Sequence, residues 1–217
     1  MEKGSKLEIH FVEEISSTHI WLCNAVKNKD VTKPFALYAK IQNDGVGSRG
    51  NVWKGHEGNL FLSFALPSFM LPNDLPHVSA SIYFSQLLLE FLREKGSLLR
   101  LKWPNDFYLN DKKIGGTATA KIEDFFIISI GMNLAYAEKE YGVLDISITP
   151  DDLVNNFISS LKDFPLWKHI FSKYKLEFQF SQNFGVHVEG KYLLLKEANL
   201  CPDGSIEIEG KKVYSLR

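Results

Sequence analysis

Cysteine is scarce in this chain: two among 217 residues, Cys23 and Cys201, far apart and in no CxxC or Cys/His cluster. That count excludes a disulfide scaffold, leaves zinc without candidate ligands, and leads us to expect two reduced thiols in a cytoplasmic protein. Excess charge of either sign is missing too. Lys plus Arg number 25 against 26 Asp plus Glu, a formal net charge of -1, so no long-range attraction to nucleic acid or anionic lipid is written into the total. No apolar run approaches the ~20 residues of a membrane span, and the polar start, residues 1 to 6, has no apolar signal core. Repeats and low-complexity tracts are also absent. With 45% hydrophobic and 24% charged residues the chain matches ordinary globular composition, which excludes disorder and collagen.

What is present reads as mixed α and β. Apolar runs at Leu7–Val12, Phe35–Ile41, Leu60–Leu66, Leu98–Trp103 and Phe125–Leu134 predict strands, and those apolar on both faces predict a sheet covered by helices. A helix is expected after Leu75-Pro76, where Val78, Ile82, Leu87, Leu88, Phe91 and Leu92 recur at helical spacing before Lys95-Gly96. Another should start at Thr149-Pro150-Asp151-Asp152, where a capping hydroxyl, a first-turn proline and acidic groups coincide, and a third at Ser16 or Ser17. From about Ser181 the texture changes to short strands, Tyr192–Lys196 and Ser205–Ile208, around the turn Pro202-Asp203-Gly204. We therefore expect a main domain over 1–180 and a small β module over 181–217 docked on it, since so short a piece buries little surface alone.

Four loops could carry chemistry. Gln42 to Trp53 holds Gly45, Gly47 and Gly50 with Arg49, a pattern that lets backbone N–H groups approach an anion, though a plain hairpin connection fits as well. Lys102-Trp103-Pro104-Asn105-Asp106 puts an ammonium, an amide and a carboxylate at a strand end, or is simply a surface turn. Lys113 precedes Gly115-Gly116 in a strand-like stretch, and glycine within a strand marks either close approach of a ligand or a hairpin. Asn133 closes an apolar strand, where its amide needs partners from the backbone or from a ligand.

In this order and spacing the loops, with Ser16-Ser17-Thr18-His19 ahead of them, resemble the catalytic core of biotin protein ligases over residues 15–134, and Gly210–Arg217 looks like the close of that family's C-terminal domain. Lys-Trp-Pro-Asn-Asp followed by Lys-x-x-Gly is the most specific element. The resemblance implies an α+β fold: a mixed sheet flanked by helices, related to class II aminoacyl-tRNA synthetases, with a small C-terminal SH3-like β-barrel. It implies activation of biotin by ATP and Mg²⁺ to biotinyl-5'-AMP, then transfer to a lysine of the biotin carboxyl carrier protein of acetyl-CoA carboxylase. The ion would ride on the ATP phosphates, with no dedicated protein ligands.

By the same resemblance Ser17, Thr18, His19, Gln42, Gly45, Val46, Gly47, Ser48, Lys113 and Gly116 would bind biotin. Arg49, Trp53, Lys102, Asn105 and Asn133 would bind ATP or the adenylate. Lys113 would stabilise charge on the α-phosphate, Asp106 would orient and deprotonate the acceptor lysine, and Arg49 completes the catalytic set. The family's loop arginines are replaced here by Val46, Ser48 and Asn51, and its acid after Lys-x-x-Gly by Ala120, so faster escape of the adenylate is expected. With the Ser-Thr patch at residue 17, no room is left for the family's N-terminal helix-turn-helix, so we expect a monofunctional ligase that binds neither DNA nor membrane; a homodimer is possible. The rival readings are a non-catalytic biotin-binding module and a lipoate or octanoyl ligase-transferase of the same superfamily, the latter lacking a suitably placed cysteine nucleophile.

Overall fold

The computed structural model describes residues 7–46, 52–53 and 55–214. The chain opens with β1 (Glu8–Ile15), α1 (Thr18–Lys27) and β2 (Phe35–Gln42), continues through the two-residue strands β3 (Gly45–Val46) and β4 (Val52–Trp53), and reaches β5 (Leu60–Pro67) and α2 (Ala80–Glu94). Next come β6 (Arg100–Lys102), β7 (Asp106–Leu109), β8 (Lys112–Ile122) and β9 (Phe125–Met132), then α3 (Pro150–Ser160) and α4 (Trp167–Ser181). Short strands follow: β10 (Gly185–Val188), β11 (Lys191–Leu194), β12 (Asn199–Leu200), β13 (Ile206–Ile208) and β14 (Lys211–Val213).

Seven strands form one mixed sheet in the order β1-β2-β5-β9-β8-β7-β6. The parallel pair β1–β2 is joined by α1, and the remaining neighbours are antiparallel. Alternation sorts its side chains. Leu60, Leu62, Phe64 and Leu66 of β5 point with Ile128, Ile130 and Met132 of β9 into the large core under α2, α3 and α4. Ala65 and Ile127 point the other way, against Leu22, Ala25 and Val26 of α1. Two of the three helix starts predicted from sequence have a side-chain cap, Ser17 Oγ accepting from the Ile20 N–H and Thr149 Oγ1 from the Asp152 N–H; α2 starts without one, after a 3₁₀ turn over His77–Ser79, and ends before Gly96 at φ +96°.

Phe125–Leu134 ends as strand at Met132 and Ser205–Ile208 starts at Ile206, and two further expected strands are cut for visible reasons. At Leu98–Trp103 only Arg100–Lys102 is strand, because the Asp145 carboxylate takes both the Ser97 hydroxyl and the Leu98 N–H and turns the chain, leaving Leu98 77% exposed. Tyr192–Lys196 ends as strand at Leu194, where Leu195 donates its N–H to Phe184 and its buried side chain to the core, beginning a 3₁₀ turn. Several short strands, β7, β10, β12 and β14 among them, have no forewarning in the sequence, and neither does the long helix α4. Its buried stripe runs Trp167, Ile170, Tyr174, then Glu177, Phe178 and Ser181, so the polar residues at 177 and 181 break the apolar period.

Those two polar residues tie α4 to the sheet. The Glu177 carboxylate receives Arg93 at 2.8 Å, Arg100 at 2.9 Å and the Leu101 N–H at 3.2 Å, while Ser181 Oγ accepts the Trp103 N–H at 2.8 Å. Burial alone pushes the Glu177 carboxyl up; the hydrogen bonds from Arg93 and Arg100 outweigh that and hold it below the usual carboxylate range. A depressed folded-state pKa contributes stability that is present above the unfolded value of ~4.3 and lost as pH falls through the folded one. Glu177→Gln should therefore cost about 2 kcal/mol at pH 7, less than a fully buried pair because both arginines keep partial contact with water. Urea midpoints should show the gap between variant and wild type closing below about pH 4.

The C-terminal residues form two small antiparallel sheets, β10–β11 and β12–β13–β14. Val186, Leu195, Ala198, Ile206 and Ile208 belong to the same buried cluster as the main sheet. The turn at 202–204 is held by three donors: Trp103 Nε1 to Gly204 O at 2.8 Å, Trp167 Nε1 to Pro202 O at 3.0 Å, and Ser79 Oγ to Asp203 O. Among the described residues no helix is long and apolar enough to cross a membrane.

Candidate active site

The site lies on the α1 face of the sheet. Directly paired residues of neighbouring strands share a face, and the register lines up Ala39, Phe61, Gly131, Gly116 and Asp106 across β2, β5, β9, β8 and β7. One row nearer the Ala65–Ile127 contact run Leu37, Ser63, Ser129 and Ala118. Gly131 and Gly116 leave the middle of the upper row without side chains. With strands about 4.8 Å apart, the bare strip between Phe61 and Asp106 spans three strand spacings, roughly 14 Å.

A charged pair closes one end. Lys113 Nζ is 2.7 Å from Asp106 Oδ1, with the side chains 22% and 15% exposed. In a regular strand Lys113 and Gly116, three residues apart, would face opposite sides. A β-bulge between Phe107 and Tyr108 on the β7–β8 ladder pairs Tyr108 with Lys113 but Phe107 with Gly115, so Ile114 is the extra residue. Ile114 is buried in the core, and Lys113 and Gly116 emerge on one face beside Asp106. A Cβ on Gly116 would stand 3.1 Å from Asp106 Oδ1 and 3.9 Å from Lys113 Cε, so the strip is bare up to the ion pair. The hairpin before it turns on Asn110 at φ +54°, a conformation that asparagine tolerates.

The other end is polar and built on the first turn of α1. The Thr18 N–H, a helix-start donor without an intrahelical partner, goes to Gln42 Oε1 at 3.0 Å, and Thr18 Oγ1 donates to the same oxygen at 3.1 Å. Ser63 Oγ donates to Thr18 Oγ1 at 2.9 Å and lies 2.8 Å from Ser129 Oγ, which in turn is 2.7 Å from His19 Nδ1. The other ring nitrogen faces Cys23 Sγ at 3.7 Å. Burial lowers the His19 pKa below its ordinary value, and burial pushes the Cys23 thiol up, with Lys27 nearby acting the other way.

The structure distributes the sequence-predicted residues unevenly. Gly116 and Asp106 lie in the strip's own row with Lys113 paired to Asp106, while Thr18, Gln42 and His19 join the hydrogen-bonded chain through Ser63 and Ser129 in the next row. Ser17 spends its oxygen on the helix cap, and both nitrogens of His19 are engaged within the protein. Asn105 is buried and clasps β8, its amide donating to Thr117 O while its own carbonyl accepts the Thr117 N–H. The Lys102 ammonium lies over the rings of Tyr108 and Phe184 at 5.6 and 5.4 Å. Asn133 accepts from Asn59 Nδ2 at 3.3 Å and donates to Gly142 O at 3.1 Å. Gly45 and Val46 form β3 against β4, where Trp53 is placed by its backbone. Gly47, Ser48, Arg49 and Asn51 lie outside the described residues.

Three residues of the site were not anticipated. Ser63 and Ser129 are the lone hydroxyls in the apolar runs Leu60–Leu66 and Phe125–Met132, a signal readable in the sequence. Asn59 Oδ1 accepts three successive N–H groups, from Leu134, Ala135 and Tyr136, and so shapes the segment after β9. Its sequence context, His56-Glu57-Gly58-Asn59, gives no sign of that.

The candidate site is thus a side-chain-free strip with a hydrogen-bonded polar head at one end and an ammonium–carboxylate pair at the other. The family model described as biotin/lipoate A/B protein ligase matches residues 11–134, more than half of the chain, and the chain belongs to that family. Along 138 residues it is 31% identical to the bifunctional ligase/repressor BirA of Escherichia coli, a match that spans 60% of this chain and 42% of that protein. Biotin–protein ligase 2 of Arabidopsis thaliana is 33% identical over 104 residues, 43% of this chain and 31% of that protein. The chain thus spans less than half the length of the curated relatives it matches. Among solved structures, the Helicobacter pylori biotin acetyl-coenzyme A carboxylase synthetase with bound biotinylated ATP superposes with a TM-score of 0.90 at 37% identity, over 96% of this chain and 100% of that one. The Leishmania major biotin protein ligase, at 23% identity and a TM-score of 0.67 over 95% and 97% of the two chains, shares the fold.

Proposed function

We propose that this chain is a biotin protein ligase that makes biotinyl-5'-AMP from biotin and ATP and transfers the biotinyl group to a lysine of a biotin carboxyl carrier protein. The observation that carries this reading is the Lys113–Asp106 pair at the foot of the glycine strip, opposite the Thr18–Gln42 head. The superposition on a synthetase holding biotinylated ATP supports it. Biotin lies along the strip with its ureido ring at Thr18 and Gln42 and its carboxylate toward Lys113. The carboxylate oxygen attacks the α-phosphorus of ATP, pyrophosphate leaves, and the Lys113 ammonium offsets the charge brought together there. Magnesium enters on the ATP phosphates, as part of that substrate.

In the second step the acceptor amine attacks the acyl carbon, AMP leaves with the bonding pair, and Asp106 takes the amine proton. A lysine amine with a reference pKa of ~10.4 is protonated at neutral pH, so a carboxylate at that place is required to draw the proton away. Biotin-dependent exchange of labelled pyrophosphate into ATP tests the first half-reaction without any acceptor. Exchange with biotin is the expected result, and desthiobiotin, which keeps the ureido group, should also support it. Lipoate and octanoate, which offer no N–H and C=O pair to Thr18 and Gln42, should fall at least about a hundredfold below biotin. Equal exchange with lipoate would move the assignment to lipoyl activation. Biotin binding without exchange would favour a non-catalytic binding module.

A further inference from the structure

The hydrogen bonds at the head of the slot can be given a direction, because each hydroxyl has one proton to donate. Gln42 Oε1 accepts from the Thr18 backbone N–H, which can only donate, and this fixes which end of the amide faces α1. The Thr18 hydroxyl spends its proton on the same oxygen. Ser63 therefore donates to Thr18, Ser129 donates to Ser63, and Ser129 must accept from His19 Nδ1. In a neutral imidazole the remaining nitrogen, Nε2, then carries a lone pair, and the Cys23 S–H donates to it.

Among the described residues the hydrogen-bonded chain leaves, at its slot end, the Gln42 NH₂ to donate and the second lone pair of Thr18 Oγ1 to accept. Together they match a group that carries C=O beside N–H. We propose that His19 and Ser129 are positioning residues which, through Ser63 and Thr18, hold this donor–acceptor pair in one orientation for the ureido group of the substrate. The inference rests on the proposed function and reassigns His19 from a ligand contact to the far end of a relay. Without the Nδ1–H donor, Ser129 and Ser63 can rotate, Ser63 can donate to Ser129 instead, and Thr18 loses its defined partner.

The decisive measurement is the imidazole ¹⁵N spectrum of the full chain at neutral pH, which should show His19 protonated on Nδ1 and bare on Nε2. The opposite tautomer overturns the relay. Steady-state exchange then reads its use. His19→Leu and Ser129→Ala should each raise the biotin KM about fivefold with kcat nearly unchanged, and the double variant should be no worse than the weaker single one, because both interrupt one chain. His19→Asn, which places an amide N–H near the Nδ1 position, should recover most of the loss. Thermal melts identify any variant that fails to fold, and Ser129→Ala, the smallest change, keeps the test open in that case. Wild-type KM in both single variants overturns the positioning role while leaving the ligase reading intact. Absence of biotin binding and exchange in the wild type overturns the proposed function and this inference with it.

Discussion

Lys113→Ala should lower pyrophosphate exchange by a factor of about thirty to a thousand while the protein stays folded. Removing a donor aimed at charge that develops in the transition state typically costs roughly 2–4 kcal/mol of barrier, and each 1.36 kcal/mol is about tenfold in rate. Lys113 is held at the foot of the strip by the Ile114 bulge on one side and by Asp106 on the other. Truncation also leaves the mostly buried Asp106 carboxylate without its cation, so stability should fall by about 1–3 kcal/mol. Exchange rates and urea midpoints measured on the same preparation check both halves. Near-normal exchange by a folded Lys113→Ala protein would remove this residue from the mechanism.

Asp106→Asn is expected to act chiefly on the second half-reaction. Single-turnover transfer from preformed biotinyl-adenylate should slow by about a hundredfold, the usual size of a lost general base. The 2.7 Å contact adds a second expectation. Asparagine cannot hold the ammonium by charge, so the variant also releases Lys113, and exchange should shift by less than about tenfold while transfer falls much further. Separate measurement of the two half-reactions distinguishes these effects. Transfer at the wild-type rate would end the assignment of Asp106 as the base.

Much of this site could be read from the sequence because the residues that face it are unusual in their places. Glycine at 116 and 131, a Ser-Thr pair at a helix start, and Lys with Asp at strand ends each break a local pattern, and each borders the slot. Where the sequence was silent or left alternatives open, the reason lies in neighbours brought together only in space. Asn105 and Asn133 stand out as polar residues at strand ends, yet the structure gives their amides to Thr117, Asn59 and Gly142, partners 9 to 74 positions away. The β7–β8 bulge is invisible in the spacing of Lys113 and Gly116, since only the ladder shows that Ile114 turns into the core. Helix α4 escaped because Glu177 fills a core-facing place, an arrangement that stands only with Arg93 and Arg100 brought from two other elements.

The two indoles that grip the turn at 202–204 give the protein a built-in optical label. Trp103 and Trp167 are nearly dry, whereas Trp21 is 42% exposed. Trp103 also belongs to the segment that carries Asp106, three residues before it. Any event that lifts the last strands from the core must wet both indoles and loosen the backing of the loop before Asp106 together. Intrinsic emission should therefore shift to the red in step with loss of turnover, so that a spectrometer alone could follow how the tail governs the working state.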